Sequence, residues 1–239
     1  MNKYLKLVNG ELKRLITYKI LPVSLVTGLI WITILFFLSA VEARVIAPLF
    51  IFVDLSMMII LLIGASHHLE KQEGTIKTMM VMPVTLGQIL IAKVAGSLVL
   101  GVQSVVLTCL ALYLIHGITF NYGLLLLVTI IVAVVHSAIG FFLALNSRDF
   151  TFMLGWMMAY IFPFVIPTIL FMFEIIPQKY EWLLMISPSH SGSNLIKYVT
   201  SGDFGIWQLI GSCAYLIILS GVLFRLAVYP TFKSHAVRG

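Results

Sequence analysis

Six stretches of about twenty apolar residues punctuate this chain, and a stretch of that length has few places to go. They run from Pro22 to Ala40, Val45 to Gly64, Ile89 to Ile115, Leu124 to Leu145, Phe152 to Phe173 and Trp207 to Val228. A helix needs about 20 such residues to cross a hydrocarbon core, whereas buried strands run to about 4–8. The expectation is therefore an all-α integral membrane protein with six transmembrane helices, a single transmembrane domain over 1–239. Charged residues make up only 10% of the chain and hydrophobic ones 61%, against about 25% and 45–50% in soluble domains, which excludes a soluble globular enzyme. A cleavable signal with small residues at Val41 and Ala43 is the alternative for the first stretch. Its basic leader is long, and its apolar run exceeds the usual core of about 7–15 residues.

The few charges are sorted by side. With both termini cytoplasmic, the inner face receives Lys3, Lys6, Lys13, Arg14, Lys19, Lys71, Lys77, Lys93, Arg148, Arg225, Lys233 and Arg238, leaving Arg44, Lys179 and Lys197 outside. That asymmetry is the positive-inside pattern, so the net charge of +6 reads as an orientation signal rather than as a nucleic-acid surface. Cys109 and Cys213 fall inside spans, where thiols behave as small hydrophobes.

Three segments lie outside the spans. Over residues 1–20, Tyr4, Leu5, Val8, Leu12, Leu15 and Ile16 gather on one side of a helical wheel, with Lys3, Lys6 and Lys13 opposite. This predicts an N-terminal interfacial amphipathic helix against the membrane lipids. Over 65–88, Leu69, Ile76 and Met80 form a helical stripe flanked by Glu70, Glu73 and Lys77, the last two spaced as a helix ion pair. Gly74 favours a break there and Pro83 a stop, so a short cytoplasmic helix presenting charge is expected. The extracellular segment 174–206 carries Pro177, Trp182 and Pro188 and a polar run from Ser187 to Asn194. Partly inserted helices are expected there, with Trp182 to Ile186 dipping into the membrane as an outer gate. Pro163 and Pro167 should kink the fifth span.

Asp54, Gln103 and His136 fall near the middle of their spans, where an ionisable group costs at least about 2.5–3.5 kcal/mol. They are candidate substrate-path residues. The alternative is helix packing, with His136 as a partner for Asp54. No phosphate-binding loop of the Gly-x-x-x-x-Gly-Lys type occurs, so any ATP site must come from another chain. His67 and His68 are adjacent and point about 100° apart on a helix, and no metal site is expected. Ser187, Ser189, His190 and Ser191 lack a recognisable orienting carboxylate for a nucleophilic triad.

Glu70-Lys71-Gln72-Glu73-Gly74-Thr75, then Met82-Pro83-Val84 and Lys93 ten residues after the proline, resemble the cytoplasmic signature of ABC exporter membrane subunits of the second permease class. The resemblance implies a coupling helix that docks in an ATPase cleft, with Glu70, Glu73, Gly74, Thr75 and Pro83 as ATPase-coupling residues. It implies no cofactor bound by this chain, ATP and Mg being held by a partner ATPase. The implied partners are cytoplasmic ABC ATPase subunits and a second permease, identical or related. The implied setting is the plasma membrane of a prokaryote, and the implied function is export of an amphipathic drug, peptide antibiotic or lipid-like molecule. Ala47-Pro48-Leu49-Phe50 to Asp54 is similar to small permeases of fluoroquinolone export, although Leu55 stands where those have Pro. Lantibiotic-immunity permeases are of similar size. A proton-coupled secondary transporter using Asp54 and His136 is the rival from another class, and it leaves the acidic Gly-Thr segment unexplained.

Overall fold

The computed structural model describes residues 3–201 and 205–238, with the side chains of residues 77, 80 and 236–238 outside the description. The chain opens with α1 (Lys3–Thr17) and turns by 63° into α2 (Ile20–Phe36). Lys19, at φ 58°, takes the left-handed conformation that makes this turn. The first apolar run ends sooner than expected, because Ser39 begins another helix. Its Oγ accepts from the Glu42 amide at 3.3 Å while the Glu42 carboxylate accepts from the Ser39 amide at 2.8 Å, a reciprocal cap that satisfies two orphan donors.

The capped helix, α3 (Ala40–Gln72), continues unbroken for 33 residues and so absorbs the first part of the segment expected to be cytoplasmic. Gly74, at φ 68°, ends the run and leads into α4 (Thr75–Met80); no heavy atom lies within 4 Å of where its Cβ would be, so conformation alone calls for glycine. A second reciprocal cap, Thr85 with Gln88, starts α5 (Leu86–His116), and α6 (Tyr122–Leu145) returns beside it. Next come α7 (Phe150–Tyr160), a π turn at Ile161–Val165 and α8 (Ile166–Met172). Pro163 lies in the π turn, and the Phe164 carbonyl accepts from the hydroxyls of Thr168 at 2.8 Å and Ser187 at 3.0 Å. The fifth span is thus interrupted at Pro163, with hydroxyls on the exposed backbone as an apolar setting demands. Short α9 (Glu181–Leu184), α10 (Pro188–Ser201) and α11 (Ile206–Val222) follow. A second π turn, Leu223–Val228, leads to α12 (Tyr229–Arg238).

Among the described residues, five helical stretches are long and apolar enough to cross a membrane: Ala40–Gln72, Leu86–His116, Tyr122–Leu145, Phe150–Met172 and Ile206–His235. A sixth crossing is counted when α1 and α2 are taken as one bent span; the 17 residues of α2 are by themselves at the short end of what spans a bilayer.

Helix α3 is the centre of the bundle, with Ile51, Phe52, Leu55, Ile59 and Ile60 wholly buried. Close approach is possible because glycines stand at its contacts, Gly140 on the neighbouring α6 and Gly64 on α3 itself. A Cβ on Gly140 would lie 3.1 Å from the Ile60 backbone, and one on Gly64 would lie 2.0 Å from the Met153 sulfur. In segment 174–206 the polar run packs into the bundle: Pro188 to Ile196 is buried, and Gly192 faces Phe52 of α3 and His136 of α6, while Trp182 and Ile186 are exposed on the outside of the bundle. Serine and glycine are narrow enough to pack against both helices, which average hydropathy does not register.

Candidate functional site

Four charged side chains meet where α1, α3 and α5 converge. Glu70 accepts hydrogen bonds from Lys93, the Lys93 Nζ to Oε2 distance being 2.6 Å, and from Arg14 at 3.0 Å. Glu11 receives Lys93 at 3.1 Å and Arg14 at 3.3 Å. Two acids and two bases therefore alternate in a closed, electrically neutral ring. Glu70 is 0% exposed, and Glu11 and Lys93 are also buried, so each charge depends on the others for the stabilisation that water would otherwise supply. Gly96 lets α1 lie this close: a Cβ there would stand 3.1 Å from Cγ of Glu11. Helix α1 thus differs from a purely interfacial helix. Its Glu11 and Leu15 pack inward, while Tyr4, Leu5 and Ile16 stay exposed.

Glu70 was expected on a docking surface beside Glu73, and the structure separates them. The unbroken α3 carries Glu70 round to the face toward α1 and α5, whereas Glu73 is exposed at the helix end. The Tyr18 hydroxyl donates to Glu73 at 2.5 Å. Burial, and then that carboxylate, push the tyrosine up to about 12, so it remains a donor at neutral pH. The expected Glu73–Lys77 pair involves a side chain outside the described residues. Met79 is buried against this base, its sulfur 3.5 Å from Arg14. Beyond it Val81, Met82 and Pro83 are exposed, Val81 at 84%. The outcome is a small apolar tip, Val81 to Pro83, beside Glu73 and the partly exposed Thr75, standing on a base cross-linked by charge to three helices.

The mid-span residues occupy two separate junctions. Asp54 accepts from the Trp31 indole at 2.9 Å and from the Ser104 hydroxyl, and Gln103 donates to Ser24 at 2.8 Å. Both brace α2 against the bundle. His136 holds the Val132 carbonyl at 2.8 Å and lies 3.5 Å from the Tyr160 hydroxyl, which pairs with Ser189 at 2.7 Å. Phe52 packs edge-on against His136. Two residues apart on a helix means about 200°, so Asp54 points away from His136, and His136 is not its partner. An Asp54→Asn change keeps an acceptor for Trp31, and its amide can donate to Ser104. It is expected to alter stability by no more than about 1 kcal/mol, while Asp54→Ala loses both bonds and costs about 2–3 kcal/mol, as thermal unfolding in detergent would show.

Neither ring nitrogen of His190 has a hydrogen-bond partner, and the nearby serines bond elsewhere, Ser187 to Phe164 and Ser189 to Tyr160. Glu181 stands 3.9 Å from His190 Nε2, beyond hydrogen-bond reach, and among the described residues no serine hydroxyl bonds to that ring. Among the described residues no three His, Cys, Asp or Glu side chains gather to hold a metal.

A family model described as ABC-2 family transporter protein matches residues 39–229. The chain belongs to the ABC-2 transporter family. This ABC-2 protein is accordingly a multi-pass membrane subunit of an ABC transporter, and proteins of this family generally lack an ATPase site of their own. No curated protein matches the chain. The family match begins at Ser39, so the α1 residues Glu11 and Arg14 of the charged ring lie outside it. Sequence reading missed Glu11. Its signal was a lone acid among the bases of the leader, four residues before Leu15 on the face that turns inward.

Proposed function

We propose that this ABC-2 permease exports an amphipathic substrate from the cytoplasm or inner leaflet, driven by separate ABC ATPase subunits that dock on the Val81–Pro83 tip and its neighbours Glu73, Gly74 and Thr75. The observation that carries this reading is the apolar tip on a buried ionic base. An exposed apolar end suits a cleft on a partner, and the ring makes α1, α3 and α5 follow any displacement of that end. Glu70 acts here as the internal strut and Glu73 as the outward contact. In this reading six crossings place both termini and α4 in the cytoplasm of a prokaryote. The basic residues of that side support it, Lys71 already bridging to the Arg148 carbonyl at 3.1 Å.

A second permease copy, or a related chain, completes the pathway. Thr151, Gly155 and Ala159 recur every four residues on the exposed face of α7 beside a groove of about 490 Å³. Small residues at that spacing let membrane helices close on one another. Asp54, Gln103 and His136 would border the path as polar braces, and Trp182 and Ile186, 65% and 66% exposed, would form the outer gate. Two arrangements of the helices, biased by nucleotide on the partner, would give alternating access. Drug or lantibiotic classes of substrate rest on sequence likeness alone. A proton-driven mechanism is disfavoured by the opposed faces of Asp54 and His136.

Purification from the native host tests the reading: an ABC ATPase is expected to accompany the permease, and transport should fall to background when that ATPase is inactivated. Undiminished transport would refute it. Replacing Glu73 and Thr75 together with Ala should weaken the coupling of transport to ATP hydrolysis several-fold with the fold intact, because both residues are accessible in the single chain.

A further inference from the structure

The start of α5 and the second π turn border a trough of about 570 Å³ that the transport reading does not use. Its walls are Leu90, Ile91, Val94 and Leu98 on one side and Phe224 on the other, with Arg225 the one charged residue lining it. Arg225 is exposed, and among the described residues no carboxylate lies within ion-pair distance of it.

Depth along the helices gives this cation a meaning. Arg225 lies nineteen residues beyond Ile206, about 28 Å along α11 and the π turn that continues it, close to the full ~30 Å of a hydrocarbon core. Gly87, at the first turn of α5, and Tyr229 line the trough at this same end. From Gly87 to Leu98 the apolar wall runs about 16 Å, the depth of one leaflet. Gly87 and Gly221 have no heavy atom within 4 Å of a built Cβ, which keeps the trough wide. An unpaired guanidinium at headgroup depth, a tyrosine suited to the interface and an apolar channel one leaflet long are complementary to a single class of molecule.

We infer that this trough is a binding site for one anionic phospholipid of the leaflet bordering α4, its phosphate on Arg225 and an acyl chain along α5. Guanidinium matches phosphate in shape as well as charge. The inference is independent of the ATPase partnership and uses the proposed orientation only in naming that leaflet cytoplasmic.

Native mass spectrometry of the full-length permease, exchanged into micelles containing equal phosphatidylglycerol and phosphatidylcholine, tests it. The wild-type chain should retain one phosphatidylglycerol, with a preference of about fivefold, the worth of one basic residue at a membrane surface. Arg225→Gln should abolish the preference and Arg225→Lys should keep part of it. Gly221→Leu, which fills the trough, should remove tight binding of both lipids, whereas Arg44→Gln at the other end should change nothing. Equal retention of phosphatidylglycerol by wild type and Arg225→Gln would overturn the site. So would a Gly221→Leu chain that loses a second permease copy but keeps its lipid, since the trough would then be a protein interface.

Discussion

Replacing Lys93 with methionine is expected to remove about 3–5 kcal/mol from the stability of the folded permease. That is the range seen when one partner of a buried ion pair is deleted and the other is left uncompensated. Lys93 reaches both Glu70 and Glu11, as Arg14 does, and is the more deeply buried of the two bases. Without it two buried carboxylates share Arg14. The companion change discriminates between lost charge and lost packing: with Glu70→Gln added, Glu11 and Arg14 remain as a neutral pair, and much of the loss should return. Unfolding curves in detergent for the two single variants and the double variant give the coupling directly. A Lys93→Met chain within about 1 kcal/mol of the parent would show that the ring is hydrated and not a support.

The second large effect concerns binding. Val81→Asp places a carboxylate on the most exposed part of the apolar tip, where the chain itself makes little use of the side chain, so folding should change by no more than about 0.5 kcal/mol. Docking should suffer far more. An anchor at the centre of an interface is worth about 2–4 kcal/mol, which is about 30- to 1,000-fold in Kd, and a charge buried there has no partner to meet. Capture of the ATPase by the purified variant, titrated against the parent, measures this. Undiminished capture would move the docking surface away from α4. The two variants separate the parts of the proposed mechanism, because Lys93→Met weakens the base beneath the tip and Val81→Asp spares it.

The helical class, the break at Gly74 and the interruption at Pro163 were all legible in the sequence, because each follows from local chemistry: run length, a left-handed glycine, a proline without a donor. Helix limits were less so. Counting apolar residues fixes where a helix is in the membrane and says nothing of how far it continues in water, and α3 runs on from Gly64 to Gln72. The Ser39-x-x-Glu42 and Thr85-x-x-Gln88 spacings were the missing signals, since they mark both starts without reference to hydropathy. The burial of Glu70 had no local sign at all. Its partners Lys93 and Arg14 stand 23 and 56 residues away, and only the packing of α1 across α5 brings them together. The burial of the polar run from Ser187 to Asn194, most of it within α10, escaped hydropathy for a different reason. Ser187, Ser189 and Ser191 hydrogen-bond to Phe164, Tyr160 and Met185 and are cheap to bury, whereas a hydropathy scale reads them as if they were still in water.

Helix α3 touches both ends of the protein, and its 33 residues make a shaft about 50 Å long. A tilt of about 5° about its charged foot would swing the far tip through about 4 Å, by the same rise per residue. Helix α10 leans on that shaft part-way along, at Phe52. A movement too small to disturb the charges at the foot would therefore arrive at the opposite membrane face enlarged by leverage alone.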